Sequence, residues 1–344
     1  MGESKSNNKT ASISLLRIVA IVAVLFSHAC STLTENIEMF TLSSNQRVFF
    51  EICWNLTKWA VPCFFIITGA LLLNSSREIT IKNCLLKYAR RMVLALFIFG
   101  IPFAIMEIFF DTRTLSLSMI GESILRVING ESFGHLWYLY ILIGIYLALP
   151  FLKLFVNHCS RKLLEYTLII LFIFDFCIPF LNSMLGLTIA FTLPIGTYAI
   201  FYVLLGKYLS DGYPKWLSNP AVTGSAVACI VILVSVVSMS NGPVGILMNY
   251  TSPVNAVCTI SVYSMFSKVR YECSERMWRI DRLCFGVYLI HPVFIHFTYK
   301  FLGVTPIVSW YPIAILLFTI VFTALSFFGA WVMSLIKPLR KYVL

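Results

Sequence analysis

The sequence predicts an all-α protein, a polytopic transmembrane helical bundle of about ten spans with both termini cytoplasmic. Three observations carry that prediction. Of 344 residues, 59% are hydrophobic and 12% charged, with a mean hydropathy of +0.87; a soluble domain is about 25% charged. Apolar runs of roughly 20 residues, the length that crosses a bilayer, follow one another almost from end to end. Positive charge is also strongly sided. With the first segment inside, only Arg47, Lys58, Arg113, Arg126 and Lys300 of the 26 Lys and Arg fall outside. The positive-inside rule then sets the orientation, and the net charge of +11 needs no nucleic acid to explain it. No long polar insert separates the spans, so residues 1–344 read as a single membrane domain.

The first span is expected over 12–30, SISLLRIVAIVAVLFSHAC, directly after the polar, basic start MGESKSNNKT. No small-residue cleavage site follows it, so it reads as a retained helix rather than a cleaved signal peptide. The second span, 50–73, contains VPCFFIITGALLL, where Pro62, Thr68 and Gly69 stand together; small residues of this kind let helices approach closely. The third, 92–110, is introduced by KNCLLKYARR with Lys87, Arg90 and Arg91. The fourth, 135–152, opens on GHLWYLY, and the next four are expected over 164–181, 190–209, 220–239 and 249–266. The ninth, 283–302, carries CFGVYLIHPVFIHF, and the tenth covers 311–336. The longest outer loops, 31–49 and 111–134, hold Glu35, Glu38, Asp111, Glu122 and Glu131 among Ser, Thr and Asn. Such loops suit a sugar acceptor, and they are equally what an exported loop looks like. There is no internal repeat, in contrast to transporter folds built from repeated halves.

Ionisable residues inside a span are costly, and each is a candidate functional residue. Arg17 and His28 lie eleven positions apart in the first span. At 3.6 residues per turn this brings them within about 20° of one stripe, ~16 Å apart along the axis. The plainer alternative is an arginine snorkelling to the headgroups and an interfacial histidine. Arg90 and Arg91 could take a phosphate through planar guanidinium forks, or could be topogenic charges only. An interfacial aromatic belt explains Trp137, Tyr138 and Tyr140 but leaves His135 unexplained. Tyr288 and His291, three apart, share a helix face, with His296 farther out. The ten cysteines form no CxxC pair and read as small hydrophobes, with a Cys30–Cys53 disulfide left open. The histidines at 28, 135, 158, 291 and 296 show no metal-ligand spacing, and no phosphate-loop, dinucleotide or serine-elbow pattern is present.

In order along the chain, these stretches resemble the acyltransferase 3 family of bacterial inner-membrane O-acyltransferases. The family's Arg-x10-His pattern is met by Arg17 and His28 in LLRIVAIVAVLFSHA. Its second-span FFxxSGxL-like stretch is similar to FFIITGALL, with Thr68 where serine is more usual. The arginines opening the third span correspond to Arg90 and Arg91. HLWYL matches His135 to Leu139, and YLIH matches Tyr288 to His291. The likeness runs from the first span to the tenth, and no fused periplasmic domain is expected.

The resemblance implies transfer of an acyl group, commonly acetyl, from cytoplasmic acyl-CoA to a hydroxyl of an envelope glycan or glycolipid at the outer face of the bacterial inner membrane. Acyl-CoA, the lipid and the glycan acceptor are the expected partners, and no metal is expected. Arg17, Arg90 and Arg91 would meet the CoA phosphates. His28 would take the hydroxyl proton, since imidazole ordinarily titrates near ~6.5. His135, or Tyr288 with His291, would orient the acceptor or stabilise the oxyanion, and the sequence does not choose between them. A secondary transporter of a small polar solute and a non-catalytic envelope scaffold are the readings from other classes. Acyl-CoA hydrolysis or transfer by the purified protein separates the first reading from both.

Overall fold

The computed structural model describes all residues except 1, 74–77, 115, 194–196 and 270–273, and no side chains at 2–10, 110 and 111. Arg77, Arg270 and Cys273, with the side chains of Lys5, Lys9 and Asp111, therefore lie outside the described residues. The described chain is helical, with no strand. Its main helices are α1 (Gly2–Glu35), α2 (Ser44–Leu56), α3 (Ala60–Leu72), α4 (Arg90–Thr112), α5 (Ser118–Asn129), α6 (Trp137–His158) and α7 (Arg161–Phe172). They continue with α8 (Tyr198–Ser210), α9 (Pro220–Met239), α10 (Pro253–Ser267), α11 (Glu275–His296), α12 (Tyr311–Leu335) and α13 (Lys337–Tyr342).

Eight helical stretches among the described residues are long and apolar enough to cross a membrane. They cover the first five expected spans, the seventh, the ninth and the tenth. The expected sixth and eighth spans are shorter helices, α8 of 13 residues and α10 of 15. Their burial accounts for this. Phe201, Tyr202, Val203, Leu204 and Leu205 of α8 are all buried, as are Asn255, Ala256, Cys258 and Thr259 of α10. A helix enclosed by protein need not match the bilayer's thickness. By contrast α9 and α12 expose large apolar side chains such as Ile232, Val236, Ile320 and Phe328, as helices facing lipid must. The protein is a multi-pass membrane protein.

Residue chemistry sets the helix boundaries more sharply than hydropathy does. Ser43 caps α2 in a capping box, its hydroxyl taking the Gln46 N–H while Gln46 Oε1 takes the Ser43 N–H. Ser274 caps α11 through the Met277 N–H at 3.3 Å. That cap starts α11 at Glu275 rather than at the expected 283, adding two charged turns before the apolar run. The expected outer loop 111–134 contains α5, whose buried Met119, Ser123 and Val127 recur every four residues. It stops where Gly130 turns into the left-handed region at φ 81°. Likewise α1 continues to Glu35, shortening the expected loop 31–49.

The chain forms two compact units, one of Met1–Ser75 with Cys159–Ala330 and the other of Ser76–His158 with Trp331–Leu344. In the first unit α1, α2, α11 and α12 enclose an apolar cluster of Ala29, Cys30, Leu33, Phe40, Phe50, Ile295, Tyr299, Ile315 and Phe322. Here too α3 and α8 meet at Gly69 and Gly206, with almost no space between their backbones. Cys30 and Cys53 stand as free thiols. In the second unit α5 lies against α4 at Gly100, close to Val127 and Ser132.

Candidate functional site

The Arg17–His28 stripe exists as the spacing requires, and it faces α11. At one level Arg17 Nη1 donates to both carboxylate oxygens of Asp281, at 2.7 and 2.6 Å, and Ser14 Oγ donates to Oδ2 at 3.0 Å. The Asp281 side chain is 4% accessible and that of Arg17 26%. A buried ion pair needs close geometry and further hydrogen bonds to offset its desolvation, and here Arg17 and Ser14 together supply three donors to the carboxylate. Three turns on, the imidazoles of His28 and His291 lie 5.1 Å apart between ring centres, tilted by 42°. Arg17 thus pairs with Asp281, and eleven residues later His28 pairs with a residue ten positions past Asp281. The two helices therefore run parallel, joined by an ion pair at one level and an imidazole pair ~15 Å farther along.

His291 is fully buried, whereas His28 keeps some accessible surface. The Nδ1 of His291 lies 2.8 Å from the Tyr288 carbonyl oxygen and 3.3 Å from that of Val287. Carbonyl oxygens only accept, so Nδ1 carries the hydrogen, and in a neutral ring Nε2 is then an acceptor. The Tyr288 ring is 6.2 Å from that of His291, so the expected shared face of Tyr288 and His291 is present. Near this level Trp54 packs on the cluster around Ala29 and Cys30. Lys58 Nζ sits 4.4 Å from the Trp54 ring centre and donates to Asn55 Oδ1 at 2.8 Å. Thr68, the departure from the usual serine, spends its hydroxyl on the Phe64 carbonyl of its own helix at 2.8 Å.

The other expected site residues belong to the second unit. Arg91 Nε donates to the Val343 carbonyl oxygen at 2.6 Å, and its Nη2 donates to the Leu344 oxygen. Arg90 is exposed, with its guanidinium carbon 5.7 Å from the Tyr342 ring centre. His135 is 4% accessible and meets the rings of Phe103 and Phe133 edge-on, each at 5.3 Å. Tyr140 donates its hydroxyl to the Val127 carbonyl. Asp281 and Ser14 were not expected from the sequence, because Asp281 falls in a charged stretch before the apolar run. Its ten-residue lead over His291, nearly the Arg17–His28 interval, was the available signal.

Residues 10–335 match the sequence model of a family described as an acyltransferase domain. The chain belongs to the acyltransferase 3 family. Comparison with curated proteins and with solved structures gives no match. The match runs from residue 10, inside α1, to the end of α12, so the paired stripe of both helices lies within this membrane acyltransferase's family region, as does most of each unit.

Proposed function

We propose that the protein moves an acyl group, acetyl by preference, from cytoplasmic acyl-CoA to a hydroxyl of a cell-envelope glycan or glycolipid at the outer face of the bacterial inner membrane. The observation that carries this reading is the imidazole pair of His28 and His291 inside a membrane helix bundle of an acyltransferase family. His28 is the general base. His291, with its Nδ1 hydrogen on the Tyr288 carbonyl, keeps Nε2 as an acceptor inside the bundle. A neutral His28 that donates one N–H to that nitrogen keeps its other nitrogen's lone pair for substrate. That lone pair takes the acceptor's hydroxyl proton as the oxygen attacks the thioester carbonyl. The tetrahedral intermediate then collapses, the C–S bond breaks, and the imidazolium returns the proton to the departing thiolate. General-base help of this kind contributes about 10²–10⁴-fold. The phenol of Tyr288 would serve as donor to the developing oxyanion, and the partly accessible Trp54 and Lys58 suit a sugar, offering a ring face and a polar contact.

The purified protein in nanodiscs, given acetyl-CoA, should release CoA, and faster with an acylatable envelope oligosaccharide present. No CoA release under any acceptor, together with ion-driven solute uptake in liposomes, would point to a transporter instead. Mass spectrometry of surface glycans with and without the gene would identify the acceptor.

Arg90 and Arg91 are proposed to hold the donor's phosphates. Arg90→Ala with Arg91→Ala should weaken acetyl-CoA binding, since a hydrogen bond to a charged group contributes on the order of 1.5–3 kcal/mol. Lysine at both positions should restore only part of it, lacking the planar fork. Unchanged acetyl-CoA affinity in the folded double variant would leave these arginines topogenic. Orientation follows from the charge asymmetry, with both termini and the Arg90–Arg91 segment on the cytoplasmic side. In a background stripped of native cysteines, Arg90→Cys should resist an impermeant maleimide applied to intact cells. Labelling from outside would reverse the orientation.

A further inference from the structure

We propose that Asp281 is a positioning residue for the transfer reaction. Through Arg17 and Ser14 it holds α1 and α11 in the one axial register that sets His28 against His291. The proposal rests on the assignment of the chemistry to His28. Three hydrogen bonds converge on the carboxylate, two from Arg17 Nη1 and one from Ser14 Oγ. All the donors are on α1 and the acceptor is on α11, so this contact works as a bolt between those two helices. Ser14 and Arg17 are three residues apart on one face of α1, so a slide of α1 breaks all three bonds together. A slip of one turn is about 5.4 Å, more than the entire 5.1 Å separation of the imidazole centres. The bolt and the imidazole pair are the two ends of the same parallel contact, so what fixes one level fixes the other. The apolar side chains between them offer no comparable directionality, because dispersion contacts tolerate sliding far better than a buried carboxylate tolerates losing its donors.

This gives Arg17 a different part from that of a phosphate ligand. As a donor ligand, Arg17 would affect KM for acyl-CoA, and any variant lacking arginine at position 17 would raise it. As half of a bolt, it affects kcat, and its charge can be exchanged with its partner's. Two measurements on the full-length protein in nanodiscs separate these outcomes. The first uses no activity at all. In a background lacking native cysteines, His28→Cys with His291→Cys should be bridged rapidly by a short bifunctional methanethiosulfonate reagent. Adding Asp281→Asn should slow that cross-linking several-fold, and the exchanged pair Arg17→Asp with Asp281→Arg should restore most of it. The second is CoA release from acetyl-CoA per folded protein. Asp281→Asn should lower kcat by about tenfold to 10²-fold, the loss that follows from an ångström-scale misplacement, with KM little changed. The exchanged pair should recover much of kcat. Cross-linking indifferent to Asp281→Asn overturns the proposal, as does an exchanged pair that leaves kcat intact but raises KM. Cross-linking that responds as stated, in a protein that never releases CoA, would keep the bolt and remove the acyl-transfer reading.

Discussion

His28→Gln is expected to lower the turnover of acetyl-CoA by about 10²-fold or more while leaving acetyl-CoA binding intact. Glutamine is close to histidine in volume and retains hydrogen-bonding capacity beside His291. It has no basic nitrogen, so the substitution removes basicity almost alone. As an interfacial histidine, His28 would tolerate the change, because an amide serves equally well where water is near. The structure sharpens that contrast. His28 lies against the fully buried His291 at 5.1 Å between rings, packed on a neighbouring helix inside the bundle. The informative experiment measures CoA release and acetyl-CoA binding on the same nanodisc preparation. Binding kept with turnover lost supports the base. Turnover within a few-fold of the parent would move the assignment to His291 or His135.

Helical periodicity made the stripe legible, because eleven steps along one helix return to nearly the same direction whatever surrounds it. What the stripe faces was not legible. Asp281 lies 264 residues from Arg17, and hydropathy begins the ninth span only at 283, which leaves Asp281 outside it between Arg279 and Arg282. Only the Ser274 cap shows that α11 begins early enough to bring that carboxylate level with Arg17. A comparable limit applies to α8 and α10. Both are apolar enough to pass for spans, and a hydropathy window cannot tell a helix wrapped in protein from one wrapped in lipid. In α5 the failure is reversed, since an amphipathic helix of 12 residues carries too many polar groups to register as a span. Gly69 was read correctly as a close-packing residue, whereas its counterpart Gly206, in GKYLS, had no apolar small-residue context to mark it.

Gly69→Ala and Gly206→Ala should each abolish or severely reduce the yield of folded protein, although alanine is the better helix former. A methyl group at Gly69 would come within 1.8 Å of the Val203 carbonyl oxygen, and one at Gly206 within 2.1 Å of the Ile66 carbonyl oxygen. Both obstacles are backbone atoms of the facing helix, so no rotamer change relieves them, and α3 and α8 would have to separate along their length. Overpacking costs about 1–3 kcal/mol even where side chains can yield, and here they cannot. The disturbed helices also carry Thr68 and buried Phe65 on one side and Tyr202 on the other, so the damage would spread through the first unit's interior. Gly144→Ala is the matched control. Gly144 lies inside α6 with nothing within 4 Å of the added atom, and there alanine should be neutral or stabilising by up to about 1 kcal/mol through helix propensity alone. Yield of monodisperse protein and thermal midpoint in detergent, compared across the three variants, decide the matter. If Gly206→Ala behaves like Gly144→Ala, then α3 and α8 do not cross at backbone contact.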